Sequence, residues 1–166
     1  IGIIGKPNAG KSSLLAALTR AKPKIANYPF TTLNPNLGVT YYNGKEITLA
    51  DIPGLVEGAH KGVGLGDKFL RHIERCKILL HLIDLSDKDL LDNYNKIKQE
   101  LNAYDKNLNK KKEIIFFNKS DLLEKNDINE KLEIFKKKIK TKFEIISVFS
   151  NKDIQKIKKI LIKNAN

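Results

Sequence analysis

Methionine is missing altogether from these 166 residues, and cysteine occurs once. A lone thiol, Cys76, cannot close an internal disulfide, which points to a reducing folding compartment. No histidine stands out as its catalytic partner, so it reads as a core residue. No apolar run reaches the ~18 residues of a membrane-crossing helix, so no membrane partner is expected. Arginine is scarce: of 31 basic residues only Arg20, Arg71 and Arg75 are not lysine, and 19 acidic residues leave a net charge of +12. Such a balance suits a polyanionic partner such as RNA. It equally suits a coding bias toward Lys, Asn and Ile, with lysines on a solvated face. With no Met and with Ile1 already in a strand pattern, residues 1–166 read as one domain, a fragment of a longer protein whose targeting segment would lie upstream. A bacterial cytosol and an organelle matrix, plastid or mitochondrion, both fit, and a monomer is expected.

What is present centres on Gly5-Lys6-Pro7-Asn8-Ala9-Gly10-Lys11-Ser12, which fits G-x-x-x-x-G-K-[ST]. An apolar strand (Ile1–Gly5) precedes it, and Leu14, Leu15 and Leu18 follow at helical spacing, the context this motif requires. The physics is a nest of main-chain N–H groups at a helix N-terminus, where the dipole favours phosphate. Lys11 reaches the β/γ-phosphates and the Ser12 hydroxyl ligates Mg²⁺, with Ser13 next along the helix.

The helix from Gly10 to about Arg20 stops before Pro23. Residues 21–36, with Pro23, Pro29 and Pro35, show no period and read as a loop. This loop holds Phe30-Thr31-Thr32, where one threonine hydroxyl can complete a Mg²⁺ shell and its N–H can sense a γ-phosphate. Leu37–Tyr42 and Lys45–Ala50 flank Asn43-Gly44, a two-residue hairpin signal, so they pair antiparallel. The second strand delivers Asp51-Ile52-Pro53-Gly54, placing a carboxylate for Mg²⁺ and a Gly54 N–H for the γ-phosphate. Five of the ten glycines fall between 54 and 66, a density suited to a segment that orders and releases. A short basic helix is expected over Asp67–Arg75. His72 reads as exposed on it, His81 as core, and His60 in the glycine segment as the histidine with most scope for function.

Lys77–Asp84 (KILLHLID) is a continuous apolar run typical of a central parallel strand. Residues 86–110 carry Leu90, Leu91, Tyr94, Ile97, Leu101 and Tyr104 at helical spacing. Glu113–Phe117 is a further buried strand ending in Asn118-Lys119-Ser120-Asp121. The Asp121 carboxylate can accept from guanine N1–H and N2–H₂, Asn118 can serve the opposite edge, and the Lys119 stem can pack along the ring. Adenine offers neither donor, so that carboxylate would be left unpaired against ATP. A lysine-rich helix (Leu132–Lys140, its Lys136–Lys138 run a wet face), a last strand (Phe143–Val148) and a closing helix (Asp153–Ile162) complete the chain.

In order, these motifs are those of a Ras-like P-loop G domain. The fold expected is α/β, a doubly wound, mostly parallel six-stranded sheet with one antiparallel edge strand. The segments 21–39 (AKPKIANYPFTTLNPNLGV) and 50–75 (ADIPGLVEGAHKGVGLGDKFLRHIER) closely resemble the Obg, or CgtA, family of GTPases. That resemblance implies a GTP-binding and GTP-hydrolysing domain in a larger protein with a glycine-rich N-terminal domain, associated with the large ribosomal subunit and its assembly. By position it makes Ser12 and Thr32 Mg²⁺ ligands. It assigns nucleotide contacts to Gly5–Ser12, Phe30–Asn34, Asp51–Gly54, Asn118–Asp121 and Ser147–Phe149. The family usually has Ser-Ala where this chain has Ser147-Val148. A main-chain N–H to guanine O6 does not depend on that side chain, so guanine binding is expected, with the extra bulk bearing on affinity.

Leu55 stands where many small GTPases carry the glutamine that orients the attacking water. Intrinsic hydrolysis is therefore expected to be slow, on the order of 10⁻⁴ to 10⁻² per second. Families sharing this apolar residue often use K⁺ near the phosphate-loop Asn, which implies such a role for Asn8, whose side chain equally suits simply forming the turn. Three functional readings follow: a GTPase switch, a nucleotide-dependent ribosome- or RNA-binding module in which hydrolysis matters little, and, against Asp121, an ATPase.

Overall fold

The computed structural model describes residues 1–19, 24–25, 36–52 and 73–165. In chain order these form β1 (Gly2–Ile4), α1 (Lys11–Thr19), β2 (Lys24–Ile25), β3 (Asn36–Tyr42), β4 (Lys45–Asp51), β5 (Ile78–Asp84), α2 (Leu90–Tyr104), β6 (Lys112–Asn118), α3 (Lys125–Lys138), β7 (Phe143–Ile145) and α4 (Asn151–Ala165). The expectations for Phe30–Asn34, Pro53, Gly54, Leu55, His60, the glycine segment and His72 lie outside the described residues.

The apolar runs become one sheet in the order β2-β3-β4-β1-β5-β6-β7. All seven residues of β5 are buried, as expected of a strand covered on both faces. Alternation divides the core. Ile3, Leu80, Leu82 and Phe116 meet Leu14, Leu15 and Leu18 of α1 and Ile154, Ile157 and Leu161 of α4. Ile4 and Leu79 meet Ile97 and Leu101 of α2, while Ile83, Ile115 and Phe117 meet Leu132 and Phe135 of α3. Phe116, Phe117 and Phe135 are fully buried, each contributing about 1.5–3 kcal/mol of transfer free energy.

β1 runs parallel to β4 and β5, β5 to β6, and β6 to β7, so their carboxyl ends share one pole. Connections leave β1 and β5 toward opposite sides of the sheet, and the crevice between them is the usual ligand position in this topology. Only β3 runs against the rest, joined to β4 through Asn43 (φ 50) and Gly44 (φ 74), the paired positive values a type I′ turn requires. The doubly wound α/β class is therefore as expected, with one addition. Lys24–Ile25, inside the stretch read as loop, adds a seventh, two-residue strand beyond β3, too short for any period to register.

Two boundaries also shift. α3 begins at Lys125 rather than Leu132, because Ile128, one turn before Leu132, is buried and carries the apolar stripe back into a polar stretch. β7 ends at Ile145 rather than Val148, because after Ile146 N–H donates to Phe117 O (2.8 Å) the chain turns to side-chain partners. α2 starts where Asp89 caps it, its Oδ1 accepting from Asp92 N–H at 2.8 Å. Among the described residues no helix is long and apolar enough to cross a membrane.

Candidate functional site

The loop between β1 and α1 is shaped by backbone that only glycine accepts easily. Gly5 (φ 150) and Gly10 (φ 98) lie at positive φ, and a Cβ would come within 2.3 Å of Leu82 O at the first and 2.5 Å of Asn118 Nδ2 at the second. Asn8 is also left-handed (φ 65) and exposed, a conformation Asn tolerates better than most side chains. α1 opens with Leu14 N–H donating to Gly10 O at 2.8 Å, aiming the preceding N–H groups into the crevice mouth.

Lys11 Nζ donates to Gly5 O (3.0 Å) and Lys6 O (2.9 Å), bridging its own loop. Burial pushes its pKa down, and the charge of Asp51 pulls part of the way back. Lys6 turns elsewhere: its Nζ donates to Asn93 Oδ1 of α2, and Asn93 Nδ2 donates to Asp87 Oδ2. Ala9 is buried, while Pro7 and Ser13 are exposed.

Asp51 ends β4, whose inward residues are otherwise apolar, and is 5% exposed. Its Oδ2 accepts from the Ser12 hydroxyl at 2.7 Å, whereas its buried Oδ1 has no hydrogen-bond partner. Leaving a buried charged acceptor unmet costs about 1–3 kcal/mol or more. Together these oxygens form the hard donor set that suits Mg²⁺, which takes few protein ligands beside water and phosphate oxygens. The metal expected from sequence therefore fits the residues present. Ile52 follows, buried in the core.

Asn118, fully buried at the end of β6, ties the two ends of the crevice together. Its Nδ2 donates to Ala9 O (2.9 Å) in the phosphate loop, and its Oδ1 accepts from Val148 N–H (3.2 Å) after β7. Lys119 is left-handed (φ 68), which turns the chain into the 3₁₀ turn Ser120–Leu122. Its ammonium pairs with Asp84 at the end of β5, fixing the aliphatic stem. Burial pushes the Asp84 carboxyl up, but Lys119 and the Ser86 hydroxyl and N–H outweigh it and hold it below its ordinary value.

A cleft of about 340 Å³ results, lined by phosphate-loop residues together with Asn118, Lys119, Val148 and Phe149. Phe149 is 82% exposed. Asp121 stands exposed on the turn and does not line the cleft. Every main-chain N–H from Ser147 to Phe149 is already engaged: Ser147 with Asp153 Oδ2 (2.9 Å), Val148 with Asn118 Oδ1 (3.2 Å), Phe149 with Ser147 Oγ (3.2 Å). The Phe149 bond is at the long end for N–H···O bonds and its donor belongs to an exposed residue, so a better acceptor can displace it.

Asp84, Asn93 and Asp153 were not singled out in the sequence. Asp84 is the most legible of them, an acid closing the buried strand β5 as Asp51 closes β4.

A family described as 50S ribosome-binding GTPase matches residues 1–119. A curated relative named GTPase Obg from Pelagibacter ubique (strain HTCC1062) is 59% identical over 162 residues, 98% of this chain and 50% of that protein. Another of that name, from Ehrlichia ruminantium (strain Gardel), is 55% identical over 166 residues, 100% of this chain and 48% of its own. The chain thus spans about half the length of the curated relatives it matches. Among solved structures, the cytosolic domain of the T. maritima FeoB iron transporter in its GMPPNP form superposes with a TM-score of 0.70 at 21% identity, covering 99% of this chain and 63% of that one. Aquifex aeolicus Era bound to GDP and AlF4⁻ gives 0.67 at 24%, covering 97% and 55%. At these identities the two structures speak for the fold alone.

Proposed function

Because this chain belongs to the family of 50S ribosome-binding GTPases, and to its Obg type, we propose that it is the nucleotide-binding and nucleotide-hydrolysing domain of a longer Obg-type protein. On this reading it converts GTP to GDP and phosphate with Mg²⁺ and acts as a slow switch in assembly of the large ribosomal subunit. The observation that carries the proposal is the double tie of Asn118, which makes a phosphate-gripping loop and a base-reading turn parts of one cleft.

In this mechanism Lys11 exchanges its two carbonyl partners for β/γ-phosphate oxygens, and the N–H groups of Asn8–Ser13 complete the cradle. Ser12 and Asp51, together with Thr32, would hold Mg²⁺, which would supply charge neutralisation on the β/γ-phosphates. The buried Asp51 Oδ1 supports that role. The Gly54 N–H addresses the γ-phosphate. At the other end guanine lies against the Lys119 stem, Asp121 takes its N1–H and N2–H₂, and its O6 captures the Phe149 N–H from its long internal bond, leaving the Asn118–Val148 tie in place. Phe30, Thr31, Asp51–Pro53 and Ser147 frame the ligand. Leu55 in place of a water-orienting glutamine accounts for slow turnover.

Asp121→Asn tests the base assignment. Calorimetry is expected to show at least about a tenfold loss of GDP affinity and a gain for xanthosine diphosphate, whose N1/C2 edge reverses one donor. An unchanged preference for guanine over xanthine would remove the basis for calling this a guanine site.

A further inference from the structure

The pole of the sheet opposite the nucleotide crevice is lined with lysines from elements far apart in sequence. Lys77 immediately precedes β5, Lys110 lies two residues before β6 and Lys112 opens it, Lys142 precedes β7, and Lys137 and Lys138 end α3, all exposed. Hydrogen bonds and one ammonium–ring contact pin these segments together. Lys111 Nζ donates to Glu74 O (2.9 Å) and Cys76 O (2.8 Å), Lys112 Nζ to Asn164 O at the end of α4 (3.3 Å), and Lys136 Nζ lies 5.7 Å from the centre of the Phe143 ring. Among the described residues none of the six exposed lysines is in an ion pair. The carboxylates at this end are mostly occupied: Asp105 accepts from Asn107 N–H, Glu113 is enclosed by His81, Lys98 and Tyr94, and Glu144 pairs with Lys156.

Two bland explanations fall short. Lysines at a helix C-terminus complement its dipole, which covers Lys137 and Lys138 but not those at strand starts. A coding bias would scatter lysines, yet in α3 the acidic residues Asp127, Glu130 and Glu133 offset Lys125 and Lys131 in the first turns while Lys136–Lys138 at the end stand without an acid, so positive charge gathers toward this pole.

We propose that this distal pole is a docking surface for the phosphate backbone of duplex RNA, on the side of the domain away from the nucleotide. Lysine is a strongly hydrated point charge that meets phosphates without reading bases. Among the described residues the exposed large apolar ones are Val39, Tyr41, Leu122, Ile134 and Phe149. Leu122 and Phe149 belong to the nucleotide end, and Val39 and Tyr41 sit four strands from β6, about 19 Å away. Of these only Ile134 is near, so the described residues of this surface offer neither the exposed aromatic platforms that stack single strands nor the apolar cluster that enters a membrane. RNA rather than DNA rests on the ribosomal reading above. The test needs no nucleotide, so its failure is distinct from failure of the GTPase assignment.

Fluorescence anisotropy with a 20-base-pair RNA duplex of arbitrary sequence is measured from 50 to 200 mM KCl. Lys110→Gln, Lys137→Gln, Lys138→Gln and Lys142→Gln combined should weaken binding at least about tenfold and lower the slope of log K against log salt by about 2–3. Removing the same charge by Lys88→Gln, Lys96→Gln, Lys125→Gln and Lys152→Gln, all away from this pole, should change affinity less than about threefold. The double variant Lys137→Gln, Lys138→Gln gives an intermediate loss and guards against misfolding of the quadruple one. Equal losses from the two quadruple variants would overturn the surface. Equal affinity for a DNA duplex would overturn the choice of RNA, and capture by phosphatidylserine vesicles without duplex binding would overturn both.

Discussion

Two carboxylates, each at or near an end of a core strand, show how differently this fold uses buried charge. Glu113 on β6 has both oxygens met: Oε1 by His81 Nδ1 at 2.9 Å, Oε2 by Lys98 Nζ and the Tyr94 hydroxyl, each at 3.2 Å. Tyr94 also stacks on the His81 ring, centroids 5.3 Å apart. Asp51 on β4 has one oxygen met by Ser12 and one by nothing. A fully satisfied buried network stabilises and specifies a core, while a partly satisfied one is costly unless a ligand completes it. Asn109 Oδ1 is also buried without a partner, so the contrast supports the proposed Mg²⁺ role of Asp51 only together with its place beside Ser12 at the phosphate loop.

Exchanging the two roles by mutation is the sharpest attack on that contrast. Asp51→Ala is expected to lower GTP turnover at saturating Mg²⁺ by about 100-fold or more, while the melting temperature stays level or rises because an orphaned oxygen is gone. A melting temperature that fell by 5 °C or more (roughly 2 kcal/mol at this size) would place Asp51 with the structural clusters.

Glu113→Gln should act the other way. It leaves His81 and Lys98 without their carboxylate and is expected to destabilise the domain by about 2–4 kcal/mol, with GDP affinity changed less than about twofold. The pH dependence has a definite sign. Burial raises the Glu113 pKa, but His81 and Lys98 outweigh it, so the folded value lies below the ordinary one. Its contribution is complete above about pH 5 and is lost as pH falls through the folded value, so wild type and variant should converge in acid. Parallel denaturation curves at pH 7 and pH 4 check this.

The smallest effect concerns Asn8. If K⁺ assists turnover there, replacing NaCl by KCl should raise the rate several-fold in the wild type and not in Asn8→Ala. Equal rates in the two salts would remove the ion from the scheme.

Local chemistry made much of this legible in advance. The glycine-lysine loop, the Asn43-Gly44 turn and the apolar run of β5 announce themselves because each needs particular residue types at fixed spacing. Asp51 and Asn118 were readable as residues ending buried strands. The rest depended on who faces whom. That Asn118 bonds the phosphate loop and the last loop, or that Asp84 holds Lys119, requires the order of strands in space, which no linear pattern carries. Glu113 looked like an ordinary strand residue because its partners are spread over two other elements. The two-residue β2 and the polar first turns of α3 were invisible for lack of periodicity.

The Asn118 amide bears on how the cleft responds to partial ligands. One planar group touches the backbone on both sides, so a shift at either end tilts it and disturbs the other. Fragments that fill half the cleft, pyrophosphate or guanosine alone, should therefore bind far more weakly than their shares of the whole nucleotide would suggest, and each should improve the other's affinity when both are present.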